Sequence, residues 1–211
     1  AYIRNKGVVS NPNTPAQAAV RSRFGSLSSQ FRSLTPEQIA AWNAAAADFP
    51  IIDRLGDTRY LTGLGLYVQL NTNLATIGIS AISVPPVKQA FPAMSIDVVQ
   101  AQSTAGLIVS LEGAIALSPA TAANEFYLVA KAAPTASASV TNQKNQMRLI
   151  GSYPSIAGSI LEFNMLPDFT AKFGNVGSVG QVVHGEFVLI SAVSGEASAP
   201  FKIDFVLVPE P

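Results

Sequence analysis

At 211 residues and 22.0 kDa, the chain can bury one ample core, as one large domain or a smaller one with attachments. Thirteen basic and thirteen acidic residues cancel, and 12% of residues are charged against 48% hydrophobic, so the surface is unusually neutral and suited to being covered by other subunits. With no Cys and a single His, His184, the composition excludes a disulfide framework, a thiolate nucleophile and a zinc ribbon.

Charge is unevenly placed from the start. Residues 1–34 hold Arg4, Lys6, Arg21, Arg23 and Arg32, and all thirteen acids lie beyond them. A basic arm on a neutral-to-acidic body suits an acidic neighbour; five charges are too few to indicate nucleic acid. The opening Ala1-Tyr2-Ile3-Arg4-Asn5-Lys6 has no apolar h-region, which reads as a mature start made in the cytoplasm without a signal peptide. No run approaches the roughly 18 apolar residues of a membrane span.

Two helix starts share one pattern: Thr14-Pro15-Ala16-Gln17 and Thr35-Pro36-Glu37-Gln38. Each offers a Thr N-cap, a Pro whose missing N–H is no loss at a helix start, and a Gln able to reach back to the cap. Val20, Phe24, Leu27, Phe31 and Leu34 then recur at helical spacing, as do Ile39, Trp42, Ala46 and Phe49 before Pro50 stops the run. Gly25 weakens the first helix by about 1 kcal/mol relative to Ala. A third helix follows Thr62 and runs to Ile77, with Tyr67, Leu70, Leu74 and Ile77 on one stripe and Gly78 as its stop. Between the second and third helices, Asp53 to Tyr60 reads as a loop with local ion pairs.

Val84-Pro85-Pro86-Val87 and Phe91-Pro92 mark residues 78–94 as a stiff, extended linker. Strand-like runs follow at 95–101, 106–111, 125–132, 147–153, 159–163, 181–193 and 201–208. Rich in Val, Ile and Phe and mostly separated by Gly, Pro, Ser or Asn, they form the pattern of an antiparallel immunoglobulin-like β-sandwich. The expected fold is therefore α+β: a helical arm over 1–77, the linker, and a sandwich over 95–211.

No chemistry stands out. His184 lacks any Gly-x-Ser-x-Gly elbow in the chain and reads as a histidine on the polar face of a strand. Asp53 and Asp57 are flanked by Arg54 and Arg59 and lie in no calcium-loop motif. Gly174, Gly177 and Gly180 fit neither phosphate-loop pattern, and Gly63-Leu64-Gly65 begins a helix rather than following a strand. Trp42 with Phe24, Phe31 and Phe49 could stack bases, but helical spacing favours packing. No catalytic residue, metal site or cofactor is expected.

The stretch Asn11-Pro12-Asn13-Thr14-Pro15-Ala16-Gln17, with Val20-Arg21, Phe24, Leu34-Thr35-Pro36-Glu37-Gln38 and Ala41-Trp42-Asn43, resembles the opening of small structural proteins of tailed bacteriophages. Leu61-Thr62-Gly63, Tyr67 and Leu70-Asn71 continue that likeness. The closing segment from Phe187 to Phe205, with Ser194-Gly195-Glu196-Ala197-Ser198 at a turn, is similar to the last hairpin of fibronectin type III and related sandwiches. The first resemblance implies a non-enzymatic virion component (capsid-associated, decoration, neck or tail), with copies of itself and other virion proteins as partners and no membrane. Val20, Phe24, Leu27, Phe31, Leu34, Ile39, Trp42 and Phe49 are then the expected assembly interface, on two stripes that do not fully bury each other. The alternative is a carbohydrate- or receptor-binding module taking a host-surface glycan, whose mark would be exposed aromatics among Tyr127, Tyr153 and Phe169.

Overall fold

Both Thr-Pro-x-Gln signals open helices, α1 (Pro15–Arg32) and α2 (Pro36–Ala45). Thr14 Oγ1 accepts from the Gln17 N–H at 3.3 Å, and Gln17 Oε1 accepts from the Thr14 N–H at 3.2 Å. Thr35 and Gln38 repeat the exchange at 3.3 and 3.0 Å. Reciprocal satisfaction of otherwise orphaned donors fixes where each helix begins. The computed structural model describes residues 13–53, 55–155 and 158–210. Arg4, Lys6, Asn11, Pro12 and Arg54, all used in the sequence reading, lie outside the described residues.

Helix α2 ends at Ala45, earlier than Pro50, and passes through one 3-10 turn at Ala46–Asp48. The segment expected as a loop is instead a small hairpin of β1 (Pro50–Ile52) and β2 (Thr58–Tyr60), closed by an Arg59 Nε–Asp53 Oδ2 ion pair of 2.8 Å. Helix α3 (Gly63–Thr76) starts after its Thr62 cap as expected, and Gly78 follows its end with φ of +77°. Gly63 is required by proximity, because a Cβ there would collide with the Trp42 and Asn43 backbone of α2.

The three helices bury a core of their own. Leu27, Phe31, Trp42, Ala46 and Phe49 close on Leu66, Tyr67 and Leu70, with Leu34 and Ile39 packed at its margin. Trp42 stands edge-on to Tyr67 at 5.1 Å, Phe31 lies 5.3 Å from the same ring, and the indole Nε1 donates to the Ser83 carbonyl at 3.0 Å. The expected pair of half-buried stripes is thus corrected: α3 supplies the missing partner, and Trp42 is 0% exposed.

The second half of the chain forms two sheets. β3 (Ala93–Thr104), β4 (Leu107–Thr121), β8 (Gly158–Asn164) and β11 (Val208–Pro209) make one, in the order β11-β3-β4-β8. The other, β10-β9-β5-β7, contains β5 (Phe126–Ala132), β7 (Arg148–Pro154), β9 (Gln181–Ser191) and β10 (Phe201–Val206), with β6 (Ala136–Ser137) also on β9. Every pairing is antiparallel except β11 with β3. Alternate residues of both sheets meet in one core, where Leu111, Ile115, Leu161 and Phe163 face Leu128, Phe187, Leu189 and Phe205. Helix α4 (Leu166–Phe173), absent from the sequence reading, drops Phe169 into that core at 0% exposure and touches β4 and β7, closing one mouth.

Helices and sheets are joined over the outer face of β10-β9-β5-β7. Leu74 and Ile77 of α3 pack on Val129 and Ile190. The β9–β10 turn abuts the helix so closely that a Cβ on Gly195 would strike the Leu70 carbonyl, and Asn73 Nδ2 donates to the Gly195 carbonyl at 2.8 Å. The linker expected over 78–94 is shorter, because β3 already begins at Ala93; residues 78–92 run without helix or strand but are held along their length. Asn71 pairs with both backbone groups of Ile82, at 2.7 and 3.3 Å, and Glu196 Oε2 accepts from the Gln89 N–H at 2.8 Å. Phe91 then reaches Phe126 at 5.6 Å.

Candidate interaction surfaces

The apolar stripe of α1 divides in two. Its C-terminal half buries Leu27 and Phe31, while every residue from Asn13 to Ser26 is exposed. Val20 and Phe24 continue the same stripe with 67% and 57% of their surface free. At 3.6 residues per turn, Arg21 and Arg23 flank the stripe on either side, and Arg21 Nη1 bonds Asn13 Oδ1 at 3.2 Å. The protruding twelve residues span roughly 18 Å of helix. A helix this short is marginal without tertiary contacts; here the cap at one end and the packed turns at the other sustain it. Of the eight residues expected at an interface, only Val20 and Phe24 are therefore presented, and the other six serve the chain's own helical core.

The outer face of β11-β3-β4-β8 is a second open surface. Ile160, Glu162 and Asn164 of β8 stand beside Ala116, Ala114 and Glu112 of β4 in register. Asn164 Nδ2 donates to Glu112 Oε2 at 3.3 Å, and Ile160 is 47% exposed. The four strands contain no Lys or Arg. The face is small-residued, weakly apolar and acidic.

The polar candidates resolve into structure. His184 projects from the outer side of β9, its Nδ1 2.7 Å from Asp204 Oδ1 and its Nε2 2.7 Å from the Val140 carbonyl, which pins the 138–147 loop. A polar cavity of about 470 Å³ lies there, lined by Thr141, Asn142, Lys144, Lys202 and Asp204. Asp53 accepts from the Leu55 and Asp57 N–H groups at 2.8 and 3.1 Å, so its carboxylate is spent on the hairpin turn. Gly177 sits where a Cβ would overlap Leu207 and Ile108, a packing role. Among the described residues, no three His, Asp or Glu side chains converge as metal ligands, and no helix is long and apolar enough to cross a membrane.

The expected aromatic marks of a recognition module are not displayed. Phe169 is fully buried, and Tyr127 packs beside α3. Tyr153 is half-buried against the core and donates to Asp168 Oδ2 at 3.2 Å. Its burial first, and then the Asp168 carboxylate, hold its phenol above the ordinary range.

No family model matches the chain, and no curated protein is significantly similar to it. A solved structure, a GH3 β-glucosidase of Bifidobacterium adolescentis, aligns with 64% of this chain at 15% identity and a TM-score of 0.25. The match spans 20% of that enzyme's chain, and at this score it carries no argument about function.

Proposed function

We infer that the chain is a non-enzymatic structural component of a phage particle that attaches through the exposed half of α1. One observation carries this reading: a capped, basic helix projects three turns beyond its own core with Val20 and Phe24 uncovered on the stripe that packs further along. Exposed apolar stripes of this kind mark interfaces, and the neutral composition suits a subunit covered by neighbours. The phage assignment itself rests on the sequence resemblance of the helical region.

Within this reading the sandwich is immunoglobulin-like. Taken in chain order, β3, β4 and β8 correspond to strands A, B and E, and β10-β9-β5-β7 to G-F-C-C′, the division of strands typical of that architecture. Architecture alone assigns no activity. A recognition module is the second reading, favoured by the polar cavity beside His184; glycan binding by the full chain, abolished by Lys202→Ala, would support it. The leading reading is tested by mass spectrometry of purified particles, which should contain many copies of this chain. Its presence in infected-cell lysate but not in particles would overturn that reading.

A further inference from the structure

We propose that the exposed half of α1 seats on the open outer face of β11-β3-β4-β8 of a second copy of this chain. This rests on the reading of α1 as the assembly device and names its partner.

The chain already contains the geometry. On the opposite side of the sandwich, α3 lies across the outer face of β10-β9-β5-β7, with Leu74 and Ile77 seated on Val129 and Ile190. One sheet is therefore covered by a helix on one side and the core on the other, whereas among the described residues the second is covered only by the core. Layered domains bury such faces against helices or further sheets. The open face offers the half-buried Ala116 and the 47% exposed Ile160, paired across β4 and β8, as a shallow bed of small and aliphatic side chains. Ala16, Val20 and Phe24 on α1 match that bed in size.

Charge selects the pairing. Helix α1 carries Arg21, Arg23 and Arg32 and no acid, while β4 and β8 carry Glu112 and Glu162 and no basic residue. Opposite potentials fix orientation and exclude like-charged alternatives, such as a second copy of α1 on α1. The arm cannot reach its own chain's face. It is anchored on α3, which packs on the other sheet, and every residue from Asn13 to Ser26 is exposed rather than seated on the chain's own open face. Only another molecule can supply it. Because arm and face are different patches, the contact is heterologous, and copies joined this way close into a ring or extend as a filament.

A three-turn helix on a sheet buries less than a standard stable interface, so association is measured at high concentration, on the order of 100 μM. Sedimentation velocity of the full chain is compared with an arm variant, Arg23→Glu with Phe24→Asp, and a face variant, Ile160→Lys with Glu162→Lys. All four positions are exposed, and a thermal melt verifies that each variant folds. The wild type should associate, and each variant alone should lose at least tenfold in affinity. An equal mixture of the two variants should form a one-to-one complex, because an intact arm then meets an intact face. A monomeric wild type, a face variant that associates normally, or a silent mixture each overturns the proposal. The broader reading fails separately: it falls if the arm variant enters particles at wild-type copy number. If the arm variant is excluded while the face variant enters normally, the arm binds a different virion protein, and only the present proposal is lost.

Discussion

Trp42 shows how the same residue changes meaning once its neighbours are known. It sits at 0% exposure against Tyr67, with its Nε1 bound to the Ser83 carbonyl. Trp42→Ala should therefore destabilise the folded chain by about 3–5 kcal/mol through a cavity and an orphaned carbonyl, measured by chemical denaturation. A destabilisation under about 1 kcal/mol would contradict its core role. The helical period exposed the stripe from Val20 to Phe31 but not where its cover stops, because periodicity marks a face and is silent about what lies against it. Tyr153 is a second residue whose environment the sequence could not give. Its folded phenol is held above the unfolded value of about 10, so its stabilising contribution is complete below that pH and is lost as pH rises through the folded value. Tyr153→Phe should flatten the alkaline fall in stability, at a cost near neutrality of about 0.5–1.5 kcal/mol for the bond to Asp168. Unchanged alkaline sensitivity in denaturation curves would count against the assignment.

At the scale of elements, two identical caps perform unequal work. Thr35 begins α2, whose Trp42 is in the core, whereas Thr14 begins the stretch of α1 whose residues through Ser26 are all exposed. Thr35→Ala should lower global stability by about 1 kcal/mol. Thr14→Ala should leave the melting temperature unchanged and speed amide exchange in the first turns of α1; equal effects of both would mean that the arm is packed. Both caps were legible because a capping box is a local code with fixed spacing, and the sandwich strands because alternation and turn residues bound them. What escaped had no such code. The β1–β2 hairpin has strands of only three residues, too short to show an alternation. Helix α4 has eight residues and no side-chain bond from its own N-cap, Met165; its first N–H is met from one residue earlier by Asn164 Oδ1 at 3.0 Å, and its signals, Pro167, Phe169 with Phe173, and Gly174, are too closely spaced to form a longer period. The sequence pattern ends the second strand at Leu111, but β4 runs to Thr121, because Gly113 and the alanines that follow lack β-branched character while register with β3 and β8 holds them in the sheet.

At the scale of the molecule, the helices and the sandwich are tied together more closely than their composition suggests. The proline-marked segment is clamped by the nearby Asn71 and by Trp42 and Glu196, two partners 41 and 107 residues away that no sequence window contains. Removing residues 1–77 would therefore strip α3 from Val129 and Ile190 and uncover an apolar face, so such a truncation confounds assembly with exposure of a core. A single exposed position separates the two. Phe24→Asp changes a side chain that is 57% exposed and leaves both cores intact. Particles assembled with this variant should be compared with wild-type particles by quantitative mass spectrometry. The attachment role of α1 requires the variant's copy number per particle to fall at least tenfold while its melting temperature stays within a degree or so of wild type. Incorporation at the wild-type copy number would show that the arm does not hold the protein in the particle.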